Sequence, residues 1–266
     1  MKKKTYIYTD ELNDDFATSK DKISPKIIDH QYKYNHSSVV WKTTSFLLYH
    51  FIATPIVYMY MKIVFKVKIK NKKALKKIKS GYILYGNHTQ GVADAFNPTL
   101  LSFPKKANII VAPDAVSIPI IRHLVDMLGG MPLSSTFKGS KNLLEEMKNR
   151  LDKNQAITIY PEAHIWPYYN KIRPFKSGSF TYPFMFDVPA VGFVITYKQR
   201  KIFKKLHPYI TITIGNPIYP NKCKNKQEMR DKIYNFMVEV VEKEDSYSYK
   251  KYINGKELEN DNNNCM

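Results

Sequence analysis

Cysteine is scarce in this sequence, with only Cys223 and Cys265 among 266 residues. Two cysteines, one of them in a polar tail, provide neither a disulfide framework nor a metal-binding set, and they fit a reducing cytosolic setting. A cleavable signal peptide is not expected, because the opening MKKKTYIYTDELNDD turns acidic before any apolar stretch develops. The Gly-x-Ser-x-Gly motif is also absent, and neither cysteine lies near a histidine. We therefore expect no nucleophilic serine or cysteine in this protein.

Acidic residues are outnumbered: 23 Asp and Glu stand against 42 Lys and Arg, which gives a formal net charge of +19. A protein this basic seeks polyanions, such as nucleic acid, an anionic membrane surface or small phosphorylated ligands. Lysine supplies almost all of the positive charge, whereas recognition of bases and phosphates favours the arginine fork. We therefore expect anionic membrane lipids as partners and do not expect nucleic acid.

One long apolar segment fits the membrane interpretation. Between Lys42 and Lys62 the chain has nineteen residues without Asp, Glu, Lys or Arg, about the length of a bilayer span. Pro55 near its middle predicts a kinked helix or two short helices in the membrane interface. From Lys62 to Lys79 there are nine lysines and no acid, as expected next to an anionic cytoplasmic leaflet. We expect membrane association on the cytoplasmic face, by a spanning or a monotopic anchor; the alternatives are a buried core helix and a solvated, lysine-rich helix face.

The remainder of the chain alternates strand-like and helix-like segments. Strands are predicted near 67–70, 82–86, 108–112, 156–161, 190–196 and 209–215. Helices are predicted at 93–103, 118–128 and 141–151, with a closing amphipathic helix from Met229 to Val241. This alternation predicts an α/β fold with a central, mostly parallel sheet flanked by helices. The predicted organisation is a polar arm (1–38), a membrane-associated helical segment (39–65), a folded domain (66–245) and a polar, disordered tail (246–266).

A histidine and a carboxylate follow the predicted strand at 82–86. His88 comes directly after Gly-Asn, and Asp94 lies six residues further, where a new helix can begin. Ligands bind beyond the carboxyl ends of parallel strands, and Glu162 follows another such end. A carboxylate bonded to one imidazole nitrogen makes the other nitrogen a better general base, able to take a proton from an attacking hydroxyl. The alternative is that His88 caps or packs and that Asp94 merely complements the helix dipole.

Four sequence blocks accompany this pair in a fixed order. They are Asn-His with a downstream Asp, GGMPL (129–133), Tyr-Pro-Glu with a later Phe-Lys-x-Gly (160–178), and Val-Pro-x-Val (188–191). The ordered set resembles the glycerolipid acyltransferase family over residues 66–220. Members of that family transfer acyl chains from acyl-CoA or acyl carrier protein to lysophosphatidate and related lysolipids. The resemblance implies that 66–245 is an acyltransferase domain of phospholipid biosynthesis, with the acyl thioester as co-substrate and no metal or other cofactor.

Within this resemblance, His88 matches the general base and Asp94 its orienting carboxylate. The predicted substrate-binding residues are Gly129, Gly130, Glu162, His164, Lys171, Arg173, Lys176 and Gly178. Gly129 and Gly130 are expected to lie near backbone donors for the oxyanion. Lys171 or Arg173 is expected to replace an arginine that the second block lacks. His164 stands where the family has Thr-Arg after Gly, and it either completes the site or caps the loop.

The sequence departs from the family pattern most clearly in the first block, where five residues instead of four separate His88 from Asp94. We expect the extra residue to be absorbed in a glycine-containing turn before the helix. Two other functions fit parts of the sequence: a non-enzymatic basic protein that binds membranes or polyanions, and a thioesterase that uses the same pair with water. The leading prediction is a membrane-associated O-acyltransferase acting on a lysophospholipid such as lysophosphatidate.

Overall fold

A seven-stranded sheet forms the centre of the computed structural model, which describes residues 4–16, 26–117, 119–202 and 206–256. The strands of the chain are β1 (Thr5–Tyr8), β2 (Lys68–Lys70), β3 (Tyr82–Gly86), β4 (Ala107–Val111), β5 (Gly130–Pro132), β6 (Ala156–Ile159), β7 (Ala190–Lys198), β8 (Tyr209–Ile214) and β9 (Lys251–Asn254). The large sheet has the order β2-β8-β7-β3-β6-β4-β5. Its neighbouring strands run parallel except for β7 and β8, which pair antiparallel. The predicted α/β fold with a mostly parallel sheet is confirmed.

Helices cover both faces of this sheet. They are α1 (Val39–Leu47), α2 (Thr54–Val64), α3 (Lys73–Lys76), α4 (Gly91–Ser102), α5 (Pro119–Met127), α6 (Phe137–Asp152), α7 (Thr181–Phe186) and α8 (Lys226–Lys243). The predicted strands and helices of the sheet domain are present, with ends that differ by a few residues; position 118, the predicted start of α5, lies outside the described residues. The short strand β5 was not predicted, because three residues carry no readable alternation.

The two central strands are buried on both sides. Every residue of β3 is buried, as are eight of the nine residues of β7. Leu84 and Tyr85, adjacent in β3, contribute to two different cores on opposite faces of the sheet. Met61 of α2 lies in the core on the Leu84 side, and Ile233 of α8 lies in the core on the Tyr85 side. Such double coverage explains why these strands are continuous apolar runs in the sequence.

The predicted membrane segment forms one helix of 26 residues, Val39–Val64, that is long and apolar enough to cross a membrane by length and composition. A π-helical turn, Leu48–Ala53, joins α1 to α2 and ends two residues before Pro55. Proline lacks the N–H that an α-helix needs and crowds the preceding turn, so the wider turn fits its position. Large apolar side chains of this helix face outwards, among them Phe51 and Ile63, each 67% exposed.

The polar tail is more ordered than expected, because part of it pairs with the N-terminal arm. Strand β1 pairs in parallel with β9, with Tyr6 opposite Tyr252 and their rings stacked at 5.0 Å. Residues 246–256 are therefore structured, contrary to the prediction of a disordered tail. Residues 1–3, 17–25 and 257–266, which belong to the predicted arm and tail, lie outside the described residues. The two strands stabilise each other only after the chain has folded, which is why neither was recognised alone.

Candidate active site

The loop after β3 and the loop after β6 meet at one edge of the sheet. Strands β3 and β6 run parallel, with Tyr85 opposite Ile159. His88 and Glu162 follow these two positions by three residues each, so the register brings both residues to the carboxyl edge. The backbone N–H of His88 donates to the Glu162 carboxylate at 3.0 Å. The sheet therefore brings the first and third sequence blocks together.

His88 and Asp94 are in direct contact. The Nδ1 atom of His88 lies 2.8 Å from Oδ2 of Asp94, and the same carboxylate oxygen accepts the N–H of Gln90 at 2.8 Å. Gln90 is extended and caps α4, which starts at Gly91, so Asp94 reaches back from the first turn of the helix. The additional residue between histidine and aspartate is accommodated in this extended cap.

Burial defines the chemistry of this pair. The Asp94 side chain is 1% exposed and that of His88 is 17% exposed. Burial raises the pKa of the Asp94 carboxyl above its ordinary value, while the bond and charge of His88 act in the opposite direction. When Asp94 is ionised, it only accepts hydrogen bonds; Nδ1 of His88 then carries the proton, and Nε2 is the basic nitrogen.

The histidine ring is also held by Tyr160, which follows β6. The two rings stack with centroids 4.3 Å apart and an angle of 10° between their planes. The Tyr160 hydroxyl donates to the backbone carbonyl of Asp94 at 2.6 Å. One side chain thereby orients the imidazole and fixes the first turn of α4.

Strand β7 extends beyond β3 and holds the His88 loop from the other side. The Asn87 side chain accepts the N–H of Ile195 at 2.8 Å and donates to its carbonyl at 3.1 Å, which continues the strand pairing by a side chain. Two residues on, the hydroxyls of Thr89 and Tyr197 are 2.6 Å apart. All four residues are buried. Sequence analysis missed Asn87, Tyr160 and Tyr197 as site residues because their partners lie on distant strands.

Glu162 forms a fully buried ion pair with Arg173. Oε2 of Glu162 lies 3.1 Å from Nη2 of Arg173, and both side chains are 0% exposed. The other carboxylate oxygen accepts the backbone N–H of Arg173 at 3.0 Å. Burial raises the pKa of Glu162, and the adjacent guanidinium counteracts that effect. Arg173 also lies over the ring of Trp166 at 4.7 Å and donates to the carbonyl of His164.

Comparison with known proteins agrees with this geometry. Residues 66–196, which contain His88, Asp94, Glu162 and Arg173, match the model of the acyltransferase family. This part of the chain is an acyltransferase domain. Its fold is similar to that of the crystal structure of the 1-acyl-sn-glycerophosphate (LPA) acyltransferase PlsC from Thermotoga maritima. The TM-score is 0.58 at 18% identity, and the match covers 78% of this chain and 88% of the other. No curated protein sequence matches the chain significantly.

In this acyltransferase, Gly129 and Gly130 do not lie near His88. The pairings of the sheet put Gly130 level with Ile109 and, through β6, with Leu84. Gly130 is three strands away from β3 across the sheet, and His88 lies four residues beyond Leu84 along the chain. Gly130 and His88 are therefore roughly 20 Å apart. The prediction that these glycines provide oxyanion donors is therefore wrong. Gly129, with φ +99° and its Cβ position 2.7 Å from a backbone oxygen, makes the turn into β5.

The other predicted binding residues of the acyltransferase lie on the segment of chain after β6 that also contains Glu162 and Arg173. They are His164, Lys171, Lys176 and Gly178, all partly or fully exposed. Nδ1 of His164 lies 3.5 Å from Oδ2 of Asp15, and Nζ of Lys176 lies 3.5 Å from Oδ1 of Asn13. The N-terminal arm therefore covers this loop. Arg173 is buried, whereas Lys171 and Lys176 are exposed, and the role of these residues in binding remains a prediction.

Proposed function

We propose that this acyltransferase transfers an acyl chain from an acyl thioester to the free hydroxyl of a lysophospholipid, with His88 as the general base. The observation that supports the proposal is the 2.8 Å contact between Nδ1 of His88 and Asp94 at the carboxyl edge of the sheet. It leaves Nε2 free to accept a proton, in a domain whose family performs acyl transfer.

The reaction then needs no protein nucleophile. Nε2 of His88 removes the proton of the lysolipid hydroxyl as the oxygen attacks the thioester carbonyl carbon. The tetrahedral intermediate collapses by breaking the carbon–sulfur bond, and the imidazolium returns its proton to the departing thiolate. Asp94 stabilises the imidazolium between these two transfers. The products are a diacyl lipid and a free thiol, either CoA or acyl carrier protein.

Lysophosphatidate is the acceptor that we propose. The similar structure carries the name of an enzyme for this lipid, and the chain has the positive charge to bind a phosphomonoester. Lys171 and Lys176 are exposed on the loop that contains Glu162 and Arg173. Lysines at this position would bind the phosphate as point charges and leave the buried pair intact.

We further propose that the enzyme is bound to the cytoplasmic face of a membrane by the helix Val39–Val64. Its outward apolar side chains include Phe51, Ile56 and Ile63, each more than half exposed. Seven of the nine lysines between Lys62 and Lys79 are exposed, next to the end of this helix. A lysine near an anionic leaflet contributes about 1 kcal/mol, so the segment combines apolar and electrostatic attraction.

The test is acyl transfer by detergent-solubilised full-length protein. Palmitoyl-CoA and palmitoyl-acyl carrier protein are offered with lysophosphatidate and other lysolipids, and both thiol release and diacyl product are measured. We expect a diacyl product with the wild type and a loss of at least a thousandfold in His88→Ala, because the base is removed. His123→Ala, which removes an exposed histidine on α5, is the matched control and retains activity.

Three outcomes contradict the proposal. Full activity of His88→Ala excludes the histidine as base. Thiol release without a diacyl product identifies a thioesterase that uses water. If neither donor gives thiol release or a diacyl product, and the protein binds anionic vesicles with a steep salt dependence, it is a non-enzymatic binding protein.

A further inference from the structure

Two buried amides lie beside Asp94 and have no role in the reaction described above. Gln90 is 5% exposed and Asn97 is 0% exposed. Nδ2 of Asn97 lies 3.4 Å from Oδ1 of Asp94 and 3.5 Å from Oε1 of Gln90. Asn97 follows Asp94 by three residues in α4, so both side chains lie on the same face of the helix.

The chemistry of Asp94 fixes the orientation of both amides. A carboxylate accepts hydrogen bonds, so the Asn97 group that faces Oδ1 is the NH₂ group and not the carbonyl. The same NH₂ group faces Gln90, which must therefore present its carbonyl oxygen. Nε2 of Gln90 and Oδ1 of Asn97 are left without hydrogen-bond partners among the described residues. Each buried, unpaired polar atom destabilises the folded state, and apolar side chains at these positions would avoid that cost.

The hydrogen bond from Asn97 to the Asp94 carboxylate explains why the protein has amides here despite this cost. Oδ2 of Asp94 is occupied by His88 and by the N–H of Gln90, whereas Oδ1 has Asn97 as its hydrogen-bond donor. The backbone N–H of Thr89 also bonds the carboxylate, so without Asn97 a fully buried carboxylate would lose its side-chain donor at Oδ1 and keep backbone donors and His88. The carboxyl would then be free to rotate or to take up a proton, and either change weakens its hold on the His88 tautomer.

We propose that Asn97 is a positioning residue, which holds Oδ1 of Asp94 so that Oδ2 faces His88 and the carboxylate stays ionised during acyl transfer. Gln90 supports it by accepting its second N–H. This inference rests on the proposed function, because it assigns Asn97 a part in the same general-base reaction. Asn97 itself does not touch the reacting atoms.

The other titratable groups around Asp94 do not replace this donor. Tyr160 from β6 donates to the backbone of Asp94, and Tyr197 from β7 bonds Thr89. Burial holds the pKa of both phenols well above its ordinary value, so both stay neutral. Glu162 faces the backbone of His88 and is paired with Arg173. Lys72, which directly precedes α3, bonds the carbonyl of Leu100, near the far end of α4.

Two substitutions at position 97 should change opposite limbs of the pH profile of kcat/KM, the first the acid limb and the second the alkaline limb. Asn97→Leu removes the donor to the charged form of Asp94, so Asp94 takes up a proton more easily. We expect the acid limb to move up by about one pH unit and kcat to fall about tenfold. Asn97→Asp is isosteric and, when protonated, still donates to Asp94. We expect it to work at low pH and to lose activity as pH rises and the second carboxyl ionises, because two adjacent carboxylates repel.

The matched control is Thr158→Val. Thr158 in β6 is 0% exposed and its hydroxyl has no hydrogen-bond partner among the described residues, yet it does not contact Asp94. Its pH profile should be that of the wild type. A second readout needs no turnover: the pH dependence of the Nδ1–H resonance of His88, measured by NMR in the protein without substrate. The pH dependence of this resonance should differ from that of the wild type in Asn97→Leu and should be unchanged in Thr158→Val.

The outcomes separate this inference from the proposed function. If both variants of Asn97 keep the wild-type pH profile and the wild-type His88 resonance, Asn97 is merely structural and the inference is overturned. The same holds if Asn97→Leu and Thr158→Val behave alike. If the wild type transfers no acyl chain but Asn97→Leu still shifts the His88 resonance, the proposed function fails and the positioning role stands.

Discussion

Removal of Arg173 tests the buried ion pair beneath the His88 loop. In Arg173→Met, the Glu162 carboxylate stays 0% exposed and keeps two backbone N–H donors, from His88 and from residue 173, but loses its counterion. Breaking a buried pair by removing one partner costs about 3–5 kcal/mol. We expect a loss of this size in the free energy of unfolding at pH 7, measured by urea titration in detergent and followed by circular dichroism.

The double variant Glu162→Gln/Arg173→Met distinguishes charge from lost packing. It removes both charges, so we expect it to regain at least half of the stability lost in Arg173→Met. The control Lys148→Met breaks an ion pair with Asp152 in which both side chains are 62% exposed, and it should cost at most about 1 kcal/mol. A single variant within 1 kcal/mol of the wild type, or a double variant less stable than Arg173→Met, would refute the reasoning.

The same variant has a defined pH dependence. Burial already raises the folded-state pKa of Glu162, and Arg173 is the main group that counteracts it. Without Arg173 that pKa rises further above the unfolded value. The penalty is then full above the folded pKa and disappears as pH falls below the unfolded pKa, because the neutral carboxyl needs no counterion. The stability difference from the wild type should therefore shrink on acidification; a difference that grows on acidification contradicts this account.

Two further changes test the support of the site and the membrane helix. Asn87→Ala leaves the N–H and carbonyl of Ile195 unpaired in the interior, and should cost about 2–4 kcal/mol in urea unfolding; an unchanged midpoint would show that water replaces the amide. Phe51→Glu places a charge on the outward face of the helix Val39–Val64 and should weaken partitioning into anionic vesicles at least tenfold. Phe137→Glu, at a 92% exposed position on α6, is the control, and equal effects of the two would contradict membrane contact by the helix.

The part of the site that sequence could predict is local in the chain. His88 and Asp94 are six residues apart, and strand-end position together with helix-start preference suffices to bring them close. Glu162 was predicted to join them because parallel strands end at the same edge. The fold class followed from the same alternation of strands and helices. These inferences required only the pattern of neighbouring residues in the sequence and the rule that parallel strands end at the same edge of a sheet.

The contacts that sequence could not predict depend on register and on loop paths. Gly129 and Gly130 were placed by their order among the blocks, but a strand of three residues begins at Gly130, which puts the pair level with the middle of β4 and away from the carboxyl edge. Arg173 reaches Glu162 through a loop whose backbone takes positive φ at Ala163 and Tyr168, and periodicity does not encode such turns. Strands β1 and β9 form only when residue 5 pairs with residue 251, which is far away in the sequence.

The backbone of His88 is fixed from several directions, whereas its ring has one side-chain hydrogen-bond partner, Asp94, among the described residues. Its N–H is bound to Glu162 and its carbonyl accepts the N–H of Trp166 at 3.1 Å. Asn87 and Thr89 on either side are bound to β7. Because the imidazole is positioned during folding, the proposed general-base mechanism would need little reorganisation of His88 when an acceptor hydroxyl binds. The exposed groups around His88 should then determine which lysolipid is accepted. Substitution of the exposed lysines near His88 should therefore change the KM for the lysolipid more than kcat.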